Sequence, residues 1–290
     1  MSHGRKGQAA SYGPNPWHQT SWDARAAGNF ICGGAGTGLI VFTALSGARG
    51  PALVALLLAG LAVVGLGLFS VSLEMGRPLR AINVLFNPRT SWMSREAITA
   101  ALLGATVAAV VAGFAPWVWV AAALALVFVY CQARLLQAGK GIPAWREPLL
   151  VPLVVTTGLV EGGGLFLAAS PVTGIVTPML MAGFALLVVV RVLVWRAYRR
   201  RIKGTLARGA AVALDRAGRI LQVVGAAVPL ALLFLIVAGA ATGALVPVVA
   251  AAAGALAAFA GAYAKFTLVT RAAYNQGFAL VHLPVRGQPR

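Results

Sequence analysis

Charged residues are scarce in this chain of 290 residues, and acidic ones are the scarcest. Only 10% of the residues are charged, with 6 Asp and Glu against 24 Lys and Arg and a formal net charge of +18. A soluble globular protein has about 25% charged residues, so this chain has too little polar surface for an aqueous fold. The same shortage excludes a disordered protein and a basic nucleic-acid-binding domain, because both need a hydrated surface.

Cysteine and histidine are also rare. The two cysteines, Cys32 and Cys131, form no CxxC pair, which excludes an iron–sulfur cluster or a structural zinc site held by this chain alone. The three histidines, His3, His18 and His282, lie outside the apolar runs, whereas a haem with two histidine ligands needs them to face each other inside a helix bundle. The sequence therefore predicts no haem, no iron–sulfur cluster and no metal site of its own.

Apolar sequence is what the chain has in abundance. Hydrophobic residues make up 60% of it, and the mean hydropathy is +0.85. Ala and Leu dominate, without the alternating pattern of β-barrel strands, so we predict an all-α, polytopic membrane protein. Eight runs have roughly the 17–25 residues that a helix needs to cross a bilayer. They are residues 28–45, 52–75, 97–114, 116–136, 148–169, 174–195, 220–241 and 245–266.

These runs predict an organisation and an orientation. The chain divides into an N-terminal arm (1–27), a transmembrane domain (28–266) and a C-terminal tail (267–290). The even number of runs places both termini on one side. The Lys and Arg residues, Lys265 included, lie on that same side, except for Arg49 and for Arg191 near the inner end of the sixth run. By the positive-inside rule, both termini and the basic connections are expected in the cytoplasm, with the chain in the inner membrane.

The excess positive charge is explained first by topology and by contact with anionic membrane lipid. Its longest segment, residues 196–219, is predicted to be an amphipathic connector on the membrane surface. Asp215 and Arg219 have the spacing of an ion pair on one helix face. A nucleic acid partner is not expected.

Two carboxylates flank the connection between the second and third runs. Glu74 ends the second run and Glu96 opens the third, where Ser94 is predicted to cap the helix and to place Glu96 in its first turn. One explanation is that Glu96 only stabilises the start of this helix and has no functional role. Carboxylates, arginines and an aromatic ring at a membrane boundary can also receive a quinone headgroup, whose reduction needs protons beside an apolar slot.

On this hypothesis, Glu74 and Glu96 transfer protons, Arg77 and Arg95 orient the headgroup, and Trp17, His18 and Trp92 line the site. The aromatic arm that contains Trp17 and His18 is equally explained as an interfacial anchor. The chain has no redox centre of its own, so we expect it to be inactive in isolation.

The same connection resembles the region between the second and third helices of membrane anchor subunits of the dimethyl sulfoxide reductase type, within the NrfD-like superfamily. That region has a His-Leu-Gly-x-Pro motif followed by a Ser-x-Glu helix start. Gly76, Pro78, Ser94 and Glu96 match these motifs, and Glu74 stands where the family commonly has histidine. The resemblance implies an anchor without haem that binds quinone, either menaquinone or ubiquinone.

The resemblance also implies partners, namely an iron–sulfur subunit and a molybdopterin catalytic subunit. The N-terminal arm is similar to that of the membrane subunit of phenylacetyl-CoA:acceptor oxidoreductase in the same superfamily. Dimethyl sulfoxide reductase anchors hold their catalytic subunits outside the cytoplasm. The basic connections of this chain predict partners on the cytoplasmic face, which suits a CoA-thioester substrate.

Glu161 lies deep within the fifth run. Carboxylates inside a membrane are costly, so we expect either a proton path or a hydrogen-bonded packing role. The glycine-rich segment 33–38 is expected to permit close helix packing. Two other functions stay open for the whole chain: a transporter or channel, and a purely structural anchor with quinone bound elsewhere.

Overall fold

The computed structural model describes residues 15–73 and 83–277, and these confirm an all-α membrane protein. Among them, eight helices are long and apolar enough to span a bilayer. We number them α1 (Ala24–Leu45), α2 (Gly50–Ser72), α3 (Trp92–Val111), α4 (Val118–Gln137), α5 (Leu150–Ala168), α6 (Pro178–Ile202), α7 (Arg208–Val237) and α8 (Leu245–Phe266). A π-helical turn, Val223–Ala227, interrupts α7, and another, Thr267–Arg271, extends α8.

The centre of the bundle is formed by α1 and α5. Helix α1 contacts α2, α4, α5 and α8, while α5 also contacts α4, α6 and α8. These two helices are the most buried of the eight, with 72% and 67% of their apolar windows inside the protein. They therefore meet protein side chains on most of their surface, and the outer helices face lipid.

Glycines allow the central helices to approach closely, as predicted for segment 33–38. Gly34 lies against Gly158, and a Cβ atom at Gly162 would collide with the backbone at Gly38. Gly36 has the same relationship to α2, because its Cβ atom would lie 2.5 Å from the carbonyl oxygen of Gly60. Small residues four positions apart bring helix backbones together in membranes, so the expectation for the glycine-rich segment is confirmed.

The helices alternate in direction, and we call the end that contains residue 15 and residue 277 the basic end. It also includes the connections after α4 and α6, with Lys140, Arg146 and Lys203. Arg49, just before α2, lies at the opposite end. The two described chain ends meet, since Asn275 donates a backbone hydrogen bond of 2.9 Å to the carbonyl of Trp17.

The basic segment 196–219 was predicted to be a connector on the membrane surface, and that prediction is wrong. Most of the segment belongs to the two spanning helices, because α6 continues to Ile202 and α7 already begins at Arg208. The buried side chains of Leu214 and Leu221 belong to the same core cluster as Trp195, which draws this part of α7 onto α6.

The predicted partner of Asp215 is also wrong. Asp215 forms an ion pair with Arg199 on α6 at 2.5 Å, rather than with Arg219 on its own helix. The pairing follows from the packing of the two helices, which brings Arg199 across to Asp215.

Candidate functional site

The start of α3 differs from the sequence-based expectation. Ser91, not Ser94, is the N-cap residue: its backbone is extended and its hydroxyl oxygen accepts a 3.3 Å hydrogen bond from the amide of Ser94. Helix α3 therefore starts with Trp92, so Glu96 lies in the second turn rather than the first. A residue in the second turn no longer faces the exposed helix N-terminus, and its side chain points into the bundle.

Glu96 is the centre of a buried polar cluster, which we define as Glu96, Asn29 of α1 and Gln132 of α4. The side chain of Glu96 is only 3% exposed, and the other two are equally enclosed. Asn29 donates a hydrogen bond of 3.2 Å from Nδ2 to Glu96 Oε1, and Gln132 donates one of 2.9 Å from Nε2 to the carbonyl of Asn29. The Glu96 cluster thus joins three helices just inside the basic end.

Two buried oxygen atoms of the Glu96 cluster accept no hydrogen bond from any described residue. Among the described residues, Asn29 Oδ1 and Gln132 Oε1 are buried without a hydrogen-bond partner. Buried polar atoms are nearly always paired in folded proteins, so two such atoms beside a buried carboxylate indicate a place where a polar ligand or a proton-carrying group can bind.

An open cleft of about 640 Å³ lies at the basic end. We call it the Trp92 cleft. The residues that line it are Trp92, Arg134, Gln137, Ala138, Lys140 and Arg146. Trp92 is one helical turn from Glu96, and its ring contacts Tyr130 edge-on at 5.9 Å. The cleft therefore combines an aromatic wall with three cations at the mouth of the membrane domain.

Arg95 contributes to the cleft indirectly. Its guanidinium stacks on the Trp92 ring at 4.2 Å, and Arg134 stacks on the same ring at 4.8 Å. Arg95 also donates hydrogen bonds of 2.8 Å to the carbonyls of Pro88 and Arg89. These contacts hold the connection before α3 in place and fix the orientation of the indole.

Trp17 and His18 lie at a different part of the basic end. His18 forms a bridge and a ring contact with Tyr274, and its Nε2 contacts the carbonyl of Thr270. Trp17 is about half exposed. No contact between either residue and Trp92 is present among the described residues, although Arg146 of the cleft reaches the same C-terminal segment through a 2.6 Å hydrogen bond to Gln276.

The remaining predicted residues of this site, Glu74 and Arg77, lie outside the described residues, as do Gly76 and Pro78 of the motif. Within residues 15–73 and 83–277, no group of three or more His, Cys, Asp or Glu side chains could hold a metal ion.

A second polar group, which we call the charged cluster, lies in the middle of the bundle and consists of Glu161, Lys265 and Arg191. Glu161 Oε2 is 2.6 Å from Lys265 Nζ, which also donates a 2.9 Å hydrogen bond to the carbonyl of Phe30. All three charged side chains are buried. Lys265 was expected beside the cytoplasmic tail, and that expectation is wrong, because α8 keeps Lys265 inside the bundle where Glu161 neutralises it.

Arg191 is held by backbone carbonyls. It is fully buried, and it lies mid-helix rather than near the inner end of a span, because α6 continues to Ile202. It donates hydrogen bonds of 3.0 Å to Ala257 and 2.5 Å to Gly225. Pro229 lies four residues after Gly225 and has no amide hydrogen. Gly225, in the π turn of α7, therefore has a free carbonyl for the Arg191 guanidinium.

The sequence did not identify Asn29 and Gln132 as site residues, and it did not predict that Lys265 is buried. Each has a signal, since each polar side chain is flanked on both sides by apolar residues of one run. The signal indicates that the side chain must find a polar partner inside the bundle, without indicating which one.

The comparison with known families fits this architecture. The family model of the DMSO reductase anchor subunit (DmsC) matches residues 24–238. The chain belongs to the DMSO reductase anchor subunit family. No curated protein matches the sequence. The match covers α1 to α7 of this anchor subunit, including the Glu96 cluster, the Trp92 cleft, Glu161 and Arg191. Trp17, His18 and Lys265 lie outside it.

Proposed function

We propose that this membrane anchor subunit carries a quinone-reactive site at its basic end. It passes electrons between an iron–sulfur partner subunit, itself attached to a molybdopterin catalytic subunit, and membrane menaquinone or ubiquinone. The observation that carries the proposal is the buried carboxylate of Glu96, hydrogen-bonded to Asn29 and one helical turn from Trp92. Quinone reduction takes up two electrons and two protons, so a protein site for it needs a group that exchanges protons beside an apolar slot.

The residues of the Trp92 cleft fit the headgroup of that ligand. The Trp92 cleft has the size of a small-molecule site, for which roughly 300–1,000 Å³ is usual, and its aromatic wall offers a ring-stacking surface. Arg134 and Lys140 supply cations at the mouth. The unpaired oxygens of Asn29 and Gln132 are available to accept hydrogen bonds from a group that carries protons to or from Glu96. In this arrangement Glu96 holds and releases protons, and Arg95 positions Trp92.

The orientation of the subunit is part of the proposal. The basic end faces the cytoplasm by the positive-inside rule, in a cell inner membrane, and the iron–sulfur and catalytic subunits dock there. A cytoplasmic catalytic subunit is compatible with a CoA-thioester substrate that cannot leave the cell. Glu74 and Arg77, which lie outside the described residues, are proposed to take part in quinone binding, and Trp17 and His18 are proposed to contribute from their separate part of the basic end.

For the charged cluster we propose a packing role. Glu161 is bonded to Lys265, and Lys265 and Arg191 are both bonded to backbone carbonyls. These bonds fix the positions of α1, α5, α6 and α8 relative to one another. The contacts favour this role over a proton path, because Glu161 Oε2 is held by Lys265 and both cations are held by backbone carbonyls, which leaves only Glu161 Oε1 and Arg191 Nε unpaired among the described atoms of the cluster.

The test of the quinone site uses the complex purified with its partner subunits. Glu96→Gln should lower quinone-linked turnover about 100-fold or more, the usual effect of losing a positioned acid–base group. Turnover with an artificial redox dye that exchanges electrons directly with the iron–sulfur partner should stay at the wild-type level. Asp215→Asn, which removes an exposed carboxylate at the same end, is the matched control and should change neither rate.

Each alternative gives a different result. Quinone-linked turnover that survives Glu96→Gln would indicate a structural anchor with quinone bound elsewhere. Purification without iron–sulfur and molybdenum subunits, under conditions that keep family complexes together, would favour a transporter or channel.

A further inference from the structure

A second cleft lies at the basic end between α6 and α7, away from the Trp92 cleft. It has a volume of about 360 Å³, and we call it the arginine cleft. The residues that line it are Trp195, Arg196, Arg199, Arg200, Leu214, Asp215, Gly218, Arg219 and Gln222. It plays no part in the proposed quinone site.

Within the part of the chain that the structure describes, protein groups do not balance the positive charge of the arginine cleft. Its single acidic residue, Asp215, is paired with Arg199, and Arg196 donates a 2.8 Å hydrogen bond to the neutral side chain of Gln222. Arg199 Nη1 is buried and, among the described residues, has no hydrogen-bond partner. Four guanidinium groups therefore face one carboxylate, and the cleft is suited to an anion with several oxygen acceptors.

The surface below the cleft is apolar, and it continues the same helix face. Leu186, Val189 and Leu193 are exposed on α6, and Arg196 and Arg200 follow them at helical spacing of three and four residues. In a membrane protein, exposed apolar side chains on a spanning helix contact acyl chains. One face of α6 thus passes from acyl-chain contact to positive charge within about two turns.

Helix α7 has the same arrangement of an arginine at the cleft followed by exposed apolar residues. Arg219 is exposed at the cleft, and Val223 and Ala227 are exposed below it at successive intervals of four residues. Two neighbouring helices therefore present cations above a shared apolar surface. A free phosphate or an acidic peptide would use only the cations, whereas a lipid would use both parts.

We propose that the arginine cleft binds the headgroup of an anionic glycerophospholipid, with its phosphate among Arg196, Arg200 and Arg219 and its acyl chains along Leu186, Val189 and Leu193. Basic pockets between spanning helices recognise anionic headgroups in this way. The bound lipid fills the opening between α6 and α7 and joins the basic ends of these two helices.

The experiment compares two triple variants of the full chain that lose the same charge. Arg196→Gln, Arg200→Gln and Arg219→Gln are combined in the cleft variant. Its control combines Arg201→Gln, Arg208→Gln and Arg216→Gln, which are exposed on the same two helices and do not line the cleft. Both proteins are incorporated into nanodiscs of phosphatidylcholine with a minor fraction of phosphatidylglycerol, then extracted into detergent, and the retained lipid is counted by native mass spectrometry.

We expect the cleft variant to retain about tenfold less phosphatidylglycerol than the wild type, and the control to retain nearly as much as the wild type. Free glycerol phosphate should not displace the lipid, because it lacks the acyl chains. Equal retention by the two variants, or displacement by glycerol phosphate, would overturn the proposal. Normal lipid retention by the cleft variant, combined with loss of the partner subunits when the same variant is purified from cells that express the whole complex, would also overturn it and would assign the cleft to a protein partner.

A second variant keeps the test valid if the glutamine variant does not fold. Replacing the same three arginines by lysine preserves the charge and removes the bidentate donors. The lysine variant should retain an intermediate amount of phosphatidylglycerol. Retention equal to that of the wild type would show that the cleft attracts lipid by charge alone and has no specific headgroup site. Helicity by circular dichroism and elution as a single species establish folding for each protein.

Discussion

The Glu161 carboxylate and the Lys265 ammonium lie 2.6 Å apart inside the bundle, although the two residues are 104 positions apart in the chain. Both side chains are almost fully buried, at 1% and 3% exposure. Arg191 interacts electrostatically with the same carboxylate. One anion thus serves two cations in the buried interior of the bundle, and each member of the charged cluster depends on the others.

Removing Glu161 should be the most damaging change in this cluster. Glu161→Gln leaves two buried cations without an anion, and we expect a loss of about 3–5 kcal/mol in the free energy of unfolding. Lys265→Met should cost less, because Glu161 still faces Arg191. The double variant should be more stable than Glu161→Gln alone, since it restores the wild-type net charge of the cluster. Unfolding in mixed micelles with increasing SDS, followed by circular dichroism, measures each value.

The matched control is the exposed ion pair of Asp215 with Arg199. Asp215→Asn should change the free energy of unfolding by no more than about 1 kcal/mol, because surface pairs contribute little. If Glu161→Gln unfolded at the same SDS fraction as the wild type, the charged cluster would have no packing role, and a proton path would become the better interpretation of Glu161.

A second prediction concerns the close approach of α1 and α5. Gly162→Ala places a methyl group against the backbone at Gly38, so we expect the helices to separate and stability to fall by about 1–3 kcal/mol. Gly183→Ala in α6 is the control, because no atom lies within 4 Å of the added carbon. That variant should be neutral or more stable by up to about 1 kcal/mol, as expected for alanine in place of glycine within a helix. The same SDS titration separates the two, and equal stability would contradict this packing interpretation.

The membrane spans were predictable from the sequence because hydropathy depends only on local composition. The residues at which the helices begin and end were harder to predict. Helix α1 begins at Ala24 because Asp23 caps it, and α6 extends through four arginines to Ile202 because its buried face packs against α7. A capping hydrogen bond and a tertiary contact decide these ends, and neither contributes to a hydropathy average.

The pairing of polar side chains was not predictable in the same way. Glu161 was identified as an unusual carboxylate from its apolar neighbours alone, and Glu96 from its motif. The positions of Lys265, Asn29 and Gln132 beside them depend on which helices are neighbours and on how each is rotated. A single sequence shows neither which helices are neighbours nor how each helix is rotated, so only the packed bundle identifies the partners of these side chains.

Trp92 should matter for substrate affinity if the Trp92 cleft receives the quinone headgroup. Trp92→Ala removes the aromatic wall and the stacking surface of Arg95 and Arg134. We expect the KM for quinone or quinol to rise about tenfold, with a smaller change in kcat, since ring stacking contributes about 0.5–1.5 kcal/mol. Trp119→Ala, an exposed tryptophan at the opposite end, is the control and should leave both constants unchanged. An unaltered KM in the Trp92 variant would place the headgroup elsewhere.

Orientation can be measured independently of any activity. Cys32 and Cys131 are replaced by alanine, and single cysteines are introduced by Lys203→Cys at the basic end or Thr242→Cys at the opposite end, both of which are exposed. A maleimide that cannot cross membranes should label intact spheroplasts at position 242 only, and position 203 after the membrane is opened. The expectation follows from the energetic cost of moving a strongly basic connection outward across the membrane. The reverse labelling pattern would place the basic end outside the cytoplasm, and a cytoplasmic CoA-thioester substrate would then be excluded because the partner subunits would dock on the wrong side to meet it.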